Sequence, residues 1–344
     1  MPQAPIVHPR QALFDPDEAA LTQLPVCDHY AGVEARMKKS LELQAEMGPV
    51  FDVTLDGEDG APVGGEIEQA QLMAELVMSA ANRFGRVGAR VLPLAHARFE
   101  EQVHELVRRA GTKLAYVMVP KPRSLADFDA AATFIDRACA AAGVARRIPL
   151  HALVETHGAL RDVMALAAHP RIESLSFGVM DFVSAHRGAI PHSAMTTAPG
   201  VGQFDHPLVL RAKLNISAAC HAAGKVPSHC VVTEFKHSDA VQAAAETAAR
   251  RLGYTRMWSI HPAQIRPIVD AFSPTVAEVD MAVAIIAAAQ AAGWAPIRHH
   301  DTLHDRASYR YFWQVLERAQ RTSFAGGPQL PAEVRLAYFQ HEVT

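Results

Sequence analysis

The feature of this 344-residue chain that most limits its fold is the alternation of short β-type runs with alanine-rich helical segments. Helices between strands indicate parallel crossovers, because parallel neighbours need a connection of a dozen or more residues. Eight such strands predict a closed (β/α)8 TIM barrel, and the chain lacks the GxGxxG turn that often marks the alternative, an open doubly wound fold. The predicted strands are 11–14, 50–59, 88–94, 113–121, 147–156, 172–181, 226–235 and 255–260.

Two regions fall outside this alternation and set the predicted domains. Residues 1–274 are expected to form the barrel with an N-terminal extension, and 275–344 a C-terminal helical lid and oligomerisation arm. The tail begins as a long alanine-rich helix and continues as RHHDTLHDRASYRYFWQVLERAQR, which is too aromatic for a disordered linker.

Composition excludes several classes of protein. The formal charge is −3 and no basic stripe with interleaved aromatics occurs, so nucleic acid is not an expected partner. The four cysteines form no CxxC pair, which is typical of a reducing cytosol and not of a structural zinc site. The first residues have no apolar signal core, and the longest apolar run, 281–289, is about half a bilayer span. We expect a cytoplasmic protein with no membrane association.

Charged residues collect where the predicted strands end, which in a barrel of this type is the catalytic face. The second strand ends in the acid-rich turn LDGEDGAP, and later strands contribute an arginine, a lysine and two more acids. These residues are Asp56, Glu58, Asp59, Arg90, Lys121, Glu155 and Asp181. A single acid at a strand end is usually a helix N-cap, but so many at one rim favour a functional site.

Glu155 and Asp181 are 26 residues apart, which is one strand–helix–strand step. Neighbouring strands lie about 4.8 Å apart, so both carboxylates are expected at the same rim. Two carboxylates that close repel, so one must be protonated or a cation must lie between them. Few hard oxygen ligands suit Mg²⁺, and Asp56, Glu58 and Asp59 could accept hydrogen bonds from metal-bound waters as outer ligands.

Five segments in order resemble the citrate lyase beta subunit and malyl-CoA lyase family of Mg²⁺-dependent, aldolase-like TIM barrels. LDGEDGAP resembles the D-L-E-D-A-V turn of that family, and MVPK its fourth-strand PK. ALVETHGAL and LSFGVMDFVSAHRG resemble the segments with its two metal-binding acids, and SIHPAQI its eighth-strand IHP-x-Q-I. The chain departs from the family at Gly57 and at Leu92, where leucine and asparagine are usual, so it resembles a divergent member.

The resemblance implies a site and its ligands. Glu155 and Asp181 would bind Mg²⁺, with Mn²⁺ as an alternative ion, and Glu155 would also contact substrate. Arg90 would bind the thioester carbonyl and stabilise the enolate, while Asp305 from the lid of a neighbouring subunit would move the proton; Asp301 is the competing lid acid. The implied partner is a small acyl thioester of CoA or acyl carrier protein, and the implied assembly a homo-oligomer, trimer or hexamer.

The predicted function is therefore a Mg²⁺-dependent carbon–carbon lyase that cleaves a 3-hydroxyacyl thioester, citryl-, malyl- or related, into an acyl thioester and a 2-oxo acid. One alternative is a pyruvate-type aldolase that acts on free hydroxy-oxo acids. Another is a catalytically silent barrel that binds acyl-CoA. The roles of Lys121 and His261 stay open, and the pair His300 and His304 lacks the third ligand that a transition-metal site needs.

Overall fold

The computed structural model describes residues 7–15, 23–234, 238–324 and 329–339 of the chain. Its strands are β1 Cys27–Ala31, β2 Phe51–Asp56, β3 Val87–Arg90, β4 Val117–Val119, β5 Leu150–Val154, β6 Ile172–Phe177, β7 Val226–His229, β8 Arg256–Ser259, β9 Ile297–His299 and β10 Thr302–His304. Its α-helices are α1 Pro9–Leu13, α2 Glu34–Met47, α3 Glu66–Met78, α4 Phe99–Ala110, α5 Leu125–Ala141, α6 His157–Arg161, α7 Val163–Ala168, α8 Val179–Ser184, α9 Pro207–Ala222, α10 Ser238–Arg251, α11 Pro262–Phe272, α12 Val276–Ala291, α13 Arg306–Arg321 and α14 Ala332–Tyr338.

Strands β1 to β8 form a closed parallel barrel in sequence order. Each strand pairs with the next, and β1 also pairs with β8, with Cys27 opposite Met257. The prediction of an eight-stranded α/β barrel is confirmed. The carboxyl ends of all eight strands meet at one rim, so the acids predicted there are brought to the same face.

The first barrel strand is not the predicted one. Residues 11–14 belong to helix α1 and its end, whereas β1 is Cys27–Ala31, with the sequence CDHYA. The polar residues of β1 are buried because they have partners inside the protein: Asp28 accepts a hydrogen bond from Thr54 at 2.6 Å. The other seven predicted runs each overlap a barrel strand; the predicted end at residue 235 lies outside the described residues.

Residues 272–344 form a second compact unit together with the N-terminal 21 residues, and residues 22–271 form the first. The second unit contains β9 and β10, which pair as an antiparallel hairpin, and a helical part with its own apolar core. Leu13 of α1 is fully buried in that core with Ile286 and Trp313. The described residues 7–15 of the N-terminal extension, which was predicted to belong with the barrel, therefore pack in the C-terminal unit.

One apolar stretch, Pro262–Ala291, would by length and composition alone be able to cross a membrane, and 44% of its most apolar window is buried. The structure divides it into α11 and α12. Thr275 begins α12 through a capping box with Glu278, and the buried face of α12 includes Ile285 and Ile286. Packing in the C-terminal unit accounts for the apolar residues of α12.

A buried ion network lies in the barrel interior where the strands begin. Arg256, the first residue of β8, is fully buried, and its guanidinium lies 2.6 Å from Asp52 and 3.1 Å from Asp28. Asp28 also accepts a hydrogen bond from the Tyr116 hydroxyl at 3.0 Å, and Asp52 pairs with Arg86 at 3.2 Å. Opposite charges balance in this network, so its role is structural.

Replacement of Arg256 by methionine should destabilise the barrel strongly. Two carboxylates would stay buried without their shared cation, and breaking a buried pair in this way costs about 3–5 kcal/mol of the free energy of unfolding. Chemical denaturation measures this loss. Arg98→Met is the matched control, since Arg98 pairs with Glu101 at the surface; equal stability of the two variants would contradict the assignment.

Candidate active site

The acid-rich turn after β2 holds an arginine from the neighbouring strand. Arg90 ends β3 and its side chain is buried; its Nε lies 2.7 Å from Asp56 Oδ1 and its Nη2 lies 2.5 Å from Asp56 Oδ2. Its Nη1 forms an ion pair with Glu58 at 3.0 Å. Burial disfavours the charged guanidinium, but the Asp56 and Glu58 carboxylates outweigh this effect and raise the pKa of Arg90. Arg90 is thus a fixed cation.

The same turn also holds a lysine from the end of the next strand. Lys121 Nζ lies 2.6 Å from Glu58 Oε1 and 2.7 Å from Asp59 Oδ2. Burial works against the charge of Lys121, yet the hydrogen bonds from its ammonium to Asp59 and Glu58 raise its pKa. The negative charge of the turn is therefore used to hold two cations at the rim.

Asp56 also shapes the turn itself. Its Oδ1 accepts the Glu58 N–H at 3.0 Å and its Oδ2 accepts the Gly60 N–H at 2.9 Å. Both carboxylate oxygens of Asp56 thus accept hydrogen bonds from main-chain N–H groups as well as from Arg90. The predicted role of Asp56, Glu58 and Asp59 as acceptors from metal-bound waters stays a prediction, and the structure gives all three acids partners from the chain.

Glu155 follows β5 directly and is 2% exposed. Its Oε1 accepts the main-chain N–H of Lys121 at 2.8 Å. Gly178 lies against it, since a Cβ on Gly178 would stand 2.3 Å from Glu155 Oε2. Glu155 faces a cavity of 470 Å³ whose walls include Leu94, Pro122, Thr156, His157 and Asp181.

Asp181 was predicted to lie at the end of a strand, but the structure places it in the first turn of α8. Strand β6 ends at Phe177, and Gly178 is the N-cap of that short helix. A carboxylate in the first helical turn interacts favourably with the exposed N–H groups there. The helix still brings Asp181 to the cavity that Glu155 lines, so the predicted pair is brought together.

The two carboxylates leave a charge problem at this rim. Burial raises the pKa of Glu155 well above its usual value, and the nearby charge of Asp181 raises it further. Within the described ranges no side-chain nitrogen of a lysine, arginine or histidine forms an ion pair with Glu155 within 4.0 Å. A buried carboxylate with a second acid beside it needs either a proton or a cation.

Two aromatic residues beside Arg90 were missed by the sequence analysis. The Arg90 guanidinium lies 5.5 Å from the ring centre of Tyr30 and 5.9 Å from that of Trp258. Both rings are nearly buried, and the Tyr30 hydroxyl and Trp258 Nε1 have no hydrogen-bond partner among the described residues. Tyr30 could have been found only from β1, the strand that the sequence pattern did not identify.

The predicted lid acids lie in the C-terminal unit. Asp305 is exposed and is the N-cap of α13; its Oδ1 accepts the N–H groups of Ala307 and Ser308 at 3.0 and 3.4 Å. Asp301, in the turn of the β9–β10 hairpin, pairs with Arg298. His261, in the first unit, accepts the N–H of Ala263 through Nδ1 at 3.2 Å.

No group of three or more His, Cys, Asp or Glu side chains is arranged to hold a metal ion in the part of the chain that the structure describes. His300 and His304 gain no third ligand there. At the rim, an ion between Glu155 and Asp181 would have two protein carboxylates as ligands. Its remaining ligands would have to come from water or substrate.

An eight-stranded parallel barrel with acids and fixed cations at the carboxyl ends of its strands is the architecture of an α/β-barrel enzyme. Residues 49–262 match the family model described as HpcH/HpaI aldolase/citrate lyase. This match covers more than half of the chain, and the chain belongs to that family, a family of lyases.

Three relatives illustrate the likeness. A crystal structure of a citrate lyase from Burkholderia xenovorans LB400 is 55% identical, with a TM-score of 0.82 over 93% of this chain and 97% of that one. An L-malyl-CoA/beta-methylmalyl-CoA lyase from Rhodobacter capsulatus is 28% identical over 63% of this chain and 71% of its own. The protein CitE from Mycobacterium tuberculosis, in complex with magnesium, acetoacetate and coenzyme A, is 18% identical, with a TM-score of 0.66 over 86% of this chain and 98% of that one. The last likeness shows the fold alone.

Replacement of Gly178 by alanine should displace Glu155. The new Cβ would meet Glu155 Oε2 at 2.3 Å and Glu155 Cβ at 2.5 Å, so the carboxylate must leave the Lys121 N–H. We expect a loss of about 1–3 kcal/mol in the free energy of unfolding and a shifted Glu155 in a crystal structure of the variant. Gly65→Ala is the control, because nothing lies within 4 Å of its added Cβ; an unmoved Glu155 in Gly178→Ala would contradict the packing argument.

Proposed function

We propose that this chain is a Mg²⁺-dependent lyase that cleaves a carbon–carbon bond in a 3-hydroxyacyl thioester and releases an acyl thioester and a 2-oxo acid. The observation that carries the proposal is the buried Glu155 carboxylate, which shares a cavity with Asp181 and has no basic partner in the described ranges. Membership of a lyase family supports the reaction class.

The residues present fit a small, hard divalent ion. Glu155 and Asp181 offer carboxylate oxygens, and Glu155 Oε1 is already oriented by the Lys121 N–H. Two protein ligands leave octahedral positions for water and substrate, which suits Mg²⁺, with Mn²⁺ as an alternative. When bound, the ion would act as a Lewis acid toward the oxygens of the 2-oxo acid.

We assign to Arg90 the stabilisation of negative charge on the thioester oxygen. Among the described residues, Asp56 and Glu58 engage three of the five N–H groups of Arg90. The other two remain for a ligand. Because both acids fix the guanidinium before substrate binds, little reorganisation is needed when an enolate forms. The aromatic rings of Tyr30 and Trp258 shield Arg90 from water on one side, which strengthens its electrostatic effect.

The apolar part of the cavity wall supports a thioester substrate. Its 470 Å³ lies within the range of about 300–1,000 Å³ that is usual for small-molecule sites. Beyond the acids, its walls include Pro93, Leu94, Ala95 and Pro122, which offer an apolar path for a pantetheine arm. CoA and acyl carrier protein are the two candidate carriers of that arm.

The proposal is tested with citryl-, malyl-, citramalyl- and methylmalyl-CoA, each with Mg²⁺ and with a chelator. We expect Mg²⁺-dependent cleavage of at least one thioester. Glu155→Gln should lower kcat more than about a hundredfold, because it removes a ligand charge without changing size. Glu68→Gln, on the exposed face of α3, is the matched control and should leave turnover unchanged.

Each other outcome selects a different function. Turnover of free hydroxy-oxo acids but of no thioester would identify the pyruvate-type aldolase. Binding of acyl-CoA with no turnover under any condition would identify a silent barrel. A Glu155→Gln variant with full metal-dependent activity would contradict the assignment of the ligand.

We also propose that the enzyme is a cytoplasmic homo-oligomer, trimeric or hexameric, in which Asp305 moves the proton at the active site of a neighbouring subunit. The exposed position of Asp305 at the start of α13 supports a role outside its own unit. All four cysteines are free and buried, which supports a reducing compartment.

Subunit mixing tests the proposed role of Asp305. Asp305→Asn keeps the helix cap, since asparagine caps as well as aspartate, but it cannot transfer the proton. Mixed with Glu155→Gln chains under conditions of subunit exchange, it should restore about a quarter of the sites in a ring of random composition. Asp301→Asn is the control and should be active alone; verified mixed oligomers without activity would exclude a lid that acts between subunits.

A further inference from the structure

Six buried polar atoms on the barrel strands take part in no ion pair and have no hydrogen-bond partner among the described residues. They come from β1, β5, β6, β7 and β8, and each of their residues is at most 7% exposed. Buried polar groups in proteins nearly always bind another protein group or an ordered water, so these atoms indicate a ligand. The atoms are Tyr30 Oη, His151 Nδ1, Ser176 Oγ, Ser228 Oγ, Arg256 Nε and Trp258 Nε1.

The strand register brings three of these residues side by side. Ser228 of β7 pairs with Ser176 of β6 on one side and with Arg256 of β8 on the other. Paired residues on neighbouring strands project from the same face, and the strands lie about 4.8 Å apart. The Arg256 guanidinium lies in the barrel interior, so the two serine hydroxyls face the interior beside it.

Two aromatic residues bring their polar atoms to the same interior. Trp258 follows Arg256 by two residues on β8, and Tyr30 follows Asp28 by two residues on β1, so both side chains point inward. Their ring centres lie 4.4 Å apart. Because both rings also lie beside Arg90, the unpartnered atoms extend from the ion network toward the rim.

His151 completes the set from the opposite side. It pairs with Ser174, two residues before Ser176, and therefore faces inward. Its Nε2 lies 3.0 Å from Glu173, and its ring stacks on Tyr116 with centres 3.9 Å apart. Both contacts fix the ring, so Nδ1 cannot turn toward another partner.

The chemistry of these atoms points to a small neutral ligand. Arg256 Nε and Trp258 Nε1 can only donate hydrogen bonds, whereas the hydroxyls can donate or accept. The charge of Arg256 is already balanced by Asp28 and Asp52, so no net charge remains to hold an ion. A ligand that both accepts and donates hydrogen bonds without carrying charge is water.

We propose that the interior of the barrel, between β5, β6, β7, β8 and β1, is a binding site for a cluster of ordered waters. The waters bridge Ser176, Ser228 and Arg256 and extend to Trp258 and Tyr30. A buried water makes about three hydrogen bonds, so six unpartnered atoms call for about two waters. The inference concerns a ligand of the fold and does not depend on the proposed lyase reaction.

The two serines explain why this barrel has room for water. Bulky branched side chains usually fill the interior of such barrels, and a serine at the same position leaves space that a valine, isoleucine or leucine would occupy. The waters therefore take the place of packed side chains in the layer below Arg90, and they give Tyr30 and Trp258 the partners that the described residues do not supply.

A high-resolution crystal structure and ¹⁷O magnetic relaxation dispersion, which counts long-lived waters in solution, test the inference without any activity measurement. We expect about two ordered waters in the barrel interior of the wild type. Ser228→Val removes a hydroxyl and fills its space, so it should lose about one of them. Ser174→Ala is the matched control on the same inner face of β6. The Ser174 hydroxyl already donates to the Val226 carbonyl at 2.8 Å, so the number of waters should not change.

The wild-type density decides the question even if Ser228→Val does not fold. Water peaks within hydrogen-bond distance of Ser176, Ser228 and Arg256 would support the inference. An interior without such peaks, or an equal water count in wild type and folded Ser228→Val, would overturn it. Crystals soaked in bromide test the assignment of the ligand, because an anomalous peak at this position would identify an anion site and exclude a site for water alone.

Discussion

The rim of this barrel depends on the pairing of the β2 turn with two cations from the next two strands. Asp56 holds Arg90 through both carboxylate oxygens, and Glu58 lies between Arg90 and Lys121. Lys121 in turn orients Glu155 through its main-chain N–H. Since each residue fixes the next, the position of the buried carboxylate follows from the turn, three strands away around the barrel.

The two ends of the barrel use charge in opposite ways. Where the strands begin, Arg86 and Arg256 pair with Asp28 and Asp52. The attraction between these opposite charges compensates the cost of burying them. At the rim, five carboxylates face Arg90 and Lys121, so negative charge is in excess. Balanced buried charge stabilises a fold at best weakly, whereas excess negative charge at a cavity needs a proton or a cation and is typical of functional sites. This contrast is the physical reason for placing function at the rim.

The barrel and most of its site could be predicted from the sequence, and the errors have physical causes. Seven strands follow apolar or β-branched runs, but β1 is polar because Asp28 and Tyr30 point into a barrel interior that is itself charged. Asp181 lies on a helix because β6 ends at Phe177 and α8 begins two residues later; a carboxylate is favourable in a first helical turn. The contacts of Lys121 depend on a left-handed backbone, which no sequence pattern encodes for lysine.

The central claim is that Glu155 and Asp181 together bind a divalent ion. Anomalous diffraction from a crystal of the protein grown with Mn²⁺ tests this claim directly, because manganese is located without reference to activity. We expect one dominant peak at about 2.1 Å from an oxygen of each carboxylate. A manganese peak at another position would contradict the claim. So would the absence of any peak at saturating Mn²⁺, with Glu155 still bound only to the Lys121 N–H.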